Sequence, residues 1–131
     1  MNDAIYTALD AYIRQLADLL GMRDWVVLLS RGPAKHENYA EIWTSHYKDE
    51  AMVMLNEDYT TYSPEDQRLH ITHELLHIQT CRLRRLITRL AEHEHDKAIG
   101  FVNRLHNEEE EILVDRLSRA IAPFLPLPEA V

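Results

Sequence analysis

The sequence predicts an α+β fold: an N-terminal helix, a three-stranded antiparallel sheet, a long helix and a C-terminal helix. Three observations carry this. Apolar residues near the N-terminus recur at helical spacing. Three short β-branched or aromatic runs lie between residues 25 and 55. From Ser63 to Ala122 the pattern is helical, with Gly100 as its one interruption.

Taken in order, Ile5, Ala8, Leu9, Tyr12, Leu16, Leu19 and Leu20 give residues 3–20 the i, i+3/i+4, i+7 stripe of an amphipathic helix. Gly21 follows where a left-handed C-cap is expected. Trp25–Ser30 is the first strand, ending at the turn signal Arg31-Gly32-Pro33, and Tyr39–Ser45 is the second. Ala51–Leu55 is the third, after the charged turn Lys48-Asp49-Glu50. Short connections favour an antiparallel meander, because parallel pairing needs a long crossover. Ser63 then caps a helix with Pro64 at its first position and acids in its first turn. The helical pattern persists to about Lys97, as one helix or two, and a last helix runs from about Phe101 or Asn107 to Ala122, stopped by Pro123 and Pro126.

Composition narrows the class. The 131 residues suit one domain, residues 1–131, and 46% hydrophobic with 27% charged is ordinary for a globular protein. Fourteen Lys and Arg against 22 Asp and Glu give a net charge of −8, which argues against a nucleic-acid backbone as partner. The cluster Arg82, Arg84, Arg85 and Arg89 does not share one helical face and reads as a solvated surface. No apolar run approaches the roughly 20 residues of a membrane span, no secretory leader is evident, and the single Cys81 fits a reducing compartment. A cytoplasmic protein is expected, with no membrane partner.

Chemistry concentrates at His73-Glu74-Leu75-Leu76-His77, an H-E-x-x-H motif. Residues four apart on a helix face the same way one turn apart, so two imidazoles reach one ion. Zinc takes nitrogen ligands at about 2.0–2.1 Å and, in catalytic sites, keeps a position open for water. Glu74, next to the first ligand, reaches that water as general base. Leu75 and Leu76 would anchor the helix in a core. The alternative is a helix whose two histidines simply face solvent. A third ligand is sought downstream, in Asn107-Glu108-Glu109-Glu110-Glu111-Ile112-Leu113-Val114-Asp115. A carboxylate there can bind metal, and an acid one turn on can orient a ligand histidine. Counting back four from Asp115 selects Glu111, with Glu108 in reserve. Glu109 and Glu110 are expected to point elsewhere, and most of the run is expected to be solvated.

These residues resemble the gluzincin group of zinc metallopeptidases, whose HExxH and later E-x-x-x-D are matched by His73–His77 and by Glu111-Ile112-Leu113-Val114-Asp115. The resemblance implies that His73, His77 and Glu111 bind one zinc, that Glu74 is the base and that Asp115 supports a histidine, His73 by preference. The element order is similar to a zincin-like minimal core, to compact single-domain gluzincins and to ImmA/IrrE-like peptidase domains. Small peptidases encoded by bacteriophages have a similar length. The match covers residues 25–122 as architecture and about ten positions as motif. Val114-Asp115-Arg116-Leu117 departs from the ImmA/IrrE-like pattern, and Glu110 stands where thermolysin-like members have Asn. The metzincin extension is absent.

Other residues carry weaker signals. His70 reads as a surface histidine and Cys81 as an inert buried thiol. His93 and His95, with Glu92, Glu94 and Asp96, read as a polar turn rather than a second metal site. Tyr47, Tyr59, Tyr62 and His106 are candidates to stabilise an oxyanion. With Ala51–Leu55 as the sheet edge above the cleft, an extended peptide substrate would add to it by main-chain hydrogen bonds. The expected function is hydrolysis of peptide bonds in a peptide or protein. The alternative is a non-catalytic zincin-fold module that binds metal and serves regulation or interaction.

Overall fold

The computed structural model describes residues 1–35, 37–93 and 97–129. Helix α1 spans Asp3–Leu19, and strands β1, β2 and β3 span Val26–Leu29, Ala40–Thr44 and Glu50–Leu55. A short 3-10 helix, Tyr59–Thr61, leads into α2 (Pro64–His93). Helix α3 (Lys97–Ile121) follows, and a 3-10 turn at Ala122–Phe124 closes the helical part. The fold is α+β, and no described helix is long and apolar enough to cross a membrane.

The sheet corrects the expected meander. Its order is β1-β3-β2, with β1 parallel to β3 and β2 antiparallel to β3. The rule that parallel strands need a long connection still holds. Residues 30–49, which contain β2 itself, supply that crossover, and short turns alone could not reveal it. Strand β3, expected at the edge, is therefore central, and its Val53 is fully buried.

The two edges are treated differently. On β1, α1 seals the outer side: the Tyr6 hydroxyl donates to the Leu29 carbonyl at 2.5 Å, and the Leu29 amide donates to Asp10 Oδ1 at 3.0 Å. On β2, the bonds Ser45 N to Glu50 O and Asn56 N to Tyr39 O bracket the ladder. In an antiparallel pair such bonds fall on alternate residues, so Tyr39, Glu41, Trp43 and Ser45 turn their backbone toward β3. Ala40, Ile42 and Thr44 turn theirs outward.

One sheet face builds the core. Val27, Leu29, Ala51, Val53 and Leu55 pack with Leu9, Tyr12, Ile13 and Leu16 of α1 and with Ile71, Leu75 and Ile78 of α2. Leu75 does anchor the motif helix, at 0% exposure. Helix α1 starts as its sequence requires, with Asn2 Oδ1 accepting the Ile5 amide at 2.9 Å. It ends at Gly21, whose φ of 81° is left-handed. Helix α3 starts before the expected Phe101 and runs through Gly100, since one glycine costs a helix only about 1 kcal/mol. Glu94, His95 and Asp96 lie outside the described residues, as does the side chain of His93, so the second metal group weighed there does too.

The two glycines predict opposite signs. An added Cβ meets nothing within 4 Å at either Gly21 or Gly100, so only backbone conformation differs. Gly21→Ala is expected to destabilise by about 1 kcal/mol, from the left-handed φ. Gly100→Ala is expected to stabilise by roughly 0.5–1 kcal/mol. Urea denaturation midpoints check both.

Candidate metal centre

Helix α2 carries His73 and His77 one turn apart, and α3 lies against that face. Their Nε2 atoms are 3.3 Å apart. From α3, Glu111 brings Oε2 to 3.5 Å from His73 Nε2 and Oε1 to 3.4 Å from His77 Nε2. One ligand atom from each residue lies within 4.8 Å of the others. Two nitrogens held about 2.05 Å from one ion at a tetrahedral angle sit about 3.3 Å apart, so the imidazole spacing fits a single zinc-sized ion. His77 is buried, His73 partly so, and the Glu111 side chain is 63% exposed, which leaves the group open on one side.

The orienting acid is one the sequence reading set aside. Glu110 is buried at 5% exposure and its Oε1 lies 3.0 Å from His77 Nδ1. With the proton on Nδ1, His77 donates to Glu110 and turns the Nε2 lone pair toward Glu111 and His73. Thr80 Oγ1 also donates to Glu110, at 2.5 Å, and the Arg84 guanidinium pairs with the same carboxylate. His106 Nδ1 stands 3.7 Å from Glu110 Oε2. Burial acts to raise the Glu110 pKa, but the bonds from His77, Arg84 and Thr80 outweigh it and hold the carboxyl well below the usual range. Consecutive helix positions face different ways, and counting from Asp115 therefore excluded Glu110. The α2–α3 seam runs between Glu110 and Glu111, so one faces the back of His77 and the other its front. The available signal was Arg84, seven residues after His77 on one face of α2, a cation that calls for an acid from a facing helix.

Asp115 lines the same cleft and accepts from Arg119 Nε at 3.1 Å on both oxygens. Its hydrogen-bonding partner is thus Arg119, while its charge still acts on His73. Burial and the neighbouring His77 lower the His73 pKa, against the pull of Glu111 and Asp115, which favours the neutral, metal-binding imidazole. Glu108 and Glu109 are exposed and stand outside the three-residue group.

Glu74 faces the open edge of β2. Burial raises its pKa from 4.5 to about 7, with Glu111 and Glu41 adding to the rise, while His77 and the outward Ile42 amide oppose it. The surrounding cleft, about 1100 Å³, is lined by Tyr39–Trp43 of the β2 edge, by His70, His73, Glu74 and His77 of α2, and by Asn107, Glu111 and Arg119 of α3. His70 belongs to this cleft, contrary to its reading as a surface residue: its ring stacks on Tyr39 at 4.6 Å, and its Nδ1 is buried with no hydrogen-bond partner among the described residues.

The expected oxyanion donors sit elsewhere. The Tyr59 hydroxyl donates to the Gln67 carbonyl at 2.5 Å, and Tyr62 accepts from Asn56. Tyr47 is 92% exposed, and His106 faces Glu110. Donors that do line the cleft include Tyr39, Asn107, Arg84 and Arg119. Cys81 is buried, as expected, with its thiol pKa raised by that burial, and takes no part in the metal group.

No protein-family model, no curated protein and no solved structure matches this chain.

The half-buried Glu74 predicts how the metal-free protein responds to pH. Its folded pKa, about 7, is above its ordinary 4.5, so the folded state binds the extra proton. Stability attributable to this group is full below about pH 4.5 and falls as pH rises through 7. In chelator-treated protein, Glu74→Gln should be more stable than wild type at pH 8, by on the order of 1–3 kcal/mol, with the difference vanishing near pH 4. Equal urea midpoints at pH 8 would show that Glu74 is not desolvated.

Proposed function

We propose that this chain is a zinc-dependent metallopeptidase with a zincin-like core, acting on peptide bonds of a peptide or protein. The observation that carries this is the convergence of His73, His77 and Glu111 on one point beside Glu74, a half-buried carboxylate poised near neutrality. Two imidazoles and one carboxylate are a donor set of catalytic zinc sites, whereas structural zinc sites favour four Cys or His ligands. When bound, zinc would polarise the scissile carbonyl and acidify a water.

The protein's own groups do the rest. Glu74 takes the proton of the attacking water and returns it to the leaving amine, and a pKa near 7 suits both transfers. Glu110 holds His77 in one tautomer and one orientation. The outward amides and carbonyls of Ala40, Ile42 and Thr44 offer an extended substrate a strand to pair with, so the docking role first assigned to Ala51–Leu55 falls to β2. Tyr39, Asn107 and Arg119 are the cleft's donors for the developing oxyanion. A non-catalytic metal-binding module shares the ligand set but has no use for Glu74.

Elemental analysis tests the reading. Wild type and Glu74→Gln are expected to carry about one zinc per chain, and Glu111→Ala to lose most of it. Digestion of a peptide library should proceed with wild type and stop with Glu74→Gln. Zinc without digestion would leave the binding module, and no zinc after reconstitution would end both readings. A separate expectation concerns Glu110→Ala. It should weaken zinc affinity by about 10–100-fold in competition with a chromophoric chelator, through His77 and without touching the ion.

A further inference from the structure

Helix α3 buries Glu110, Val114 and Ser118 and turns Glu111 and Asp115 to the cleft, yet its remaining side is apolar and uncovered. Phe101, Val102, Leu105, Ile112, Leu113 and Leu117 are between 39% and 52% exposed there. Just past the helix end, Phe124 is 88% exposed. Together these side chains present roughly 700 Å² of surface, more than the 300–600 Å² of the largest patch on a typical monomer. It approaches the ~800 Å² that each partner of a standard interface buries.

Two charges interrupt the stripe. Glu109 and Arg116 are exposed and have no ion-pair partner among the described residues. They are two helical turns apart, on the face that carries Ile112 and Leu113 between them. The spacing 102, 105, 109, 112, 116 alternates three and four, the period of a helix–helix seam, so both charges occupy seam positions. A charge in a seam costs stability unless a partner of opposite sign meets it.

We infer that this face of α3 packs against the same face of a second copy, antiparallel, about a two-fold axis passing between Ile112 and Leu113. That axis sets Glu109 opposite Arg116 of the second copy and Arg116 opposite its Glu109, so one chain satisfies both charges of the other. It also sets Leu105 at the level of the small Ala120, both within α3. A parallel pairing would oppose Glu109 to Glu109 and Arg116 to Arg116, so the charges select the antiparallel register. The metal group faces another side of α3, and the cleft stays open in each copy.

Sedimentation velocity from low to high micromolar concentration tests this on the full chain. Wild type is expected to dimerise. Arg116→Glu and Glu109→Arg, each reversing two symmetry-related pairs, should weaken the dimer about tenfold or more. The double variant Glu109→Arg/Arg116→Glu should restore it. Both positions are exposed, and far-UV circular dichroism verifies folding. A monomer throughout the range overturns the inference, as does a dimer indifferent to the single reversals or not rescued by the double one. Metal content does not enter the readout, so the dimer and the peptidase reading stand or fall separately.

Discussion

Glu110 is the one member of the four-glutamate run that is buried, and the arrangement of the two long helices depends on what it meets there. A carboxylate taken out of water costs several kcal/mol unless charge and hydrogen bonds replace its hydration. Here His77, Thr80 and the Arg84 guanidinium do so, all from successive turns of α2. The requirement fixes both the rotation of α3 about its axis and its position along α2. Glu111 follows by covalent continuity. Its placement beside His73 and His77 is a consequence of where Glu110 must sit.

Seen this way, the pieces of the site legible in sequence were those confined to one helix. His73, Glu74 and His77 obey a four-residue spacing that helical geometry converts directly into a common face. Glu111 was reachable by the same arithmetic from Asp115. Glu110 and Arg84 were not, because their meaning lies in a contact between two helices, made by residues 26 apart in sequence, and spacing within α3 says nothing about which of its faces meets α2. His70 was missed for a related reason. Its place in the cleft comes from Tyr39 stacking on it, an event between the sheet edge and the helix.

The strands show the same division. Their positions followed from β-branched and aromatic runs, to within a residue or two at each end. Their order did not, since loop length constrains only strands that are neighbours in both sequence and space. That order carries functional weight. It puts β2 rather than β3 beside α2, brings the outward Ile42 amide to Glu74, and leaves one edge open at the cleft while α1 closes the other.

The central strand is also the last of the three to be made, and this sets the sequence of events in folding. When α1 and β1 leave the ribosome, the strand that β1 will pair with does not yet exist, and β1 has α1 alone to organise it, through the grip of Tyr6 and Asp10 on Leu29 and the packing of Val27 and Leu29 against that helix. The β2–β3 hairpin is local and closes on the microsecond scale. The parallel pairing of β1 with β3 spans a longer loop and is the slower, non-local step. The N-terminal unit therefore docks onto a finished hairpin. Until it does, the β3 edge that β1 will cover stays unpaired, and this is the interval in which the nascent chain is most exposed to pairing with the wrong strand.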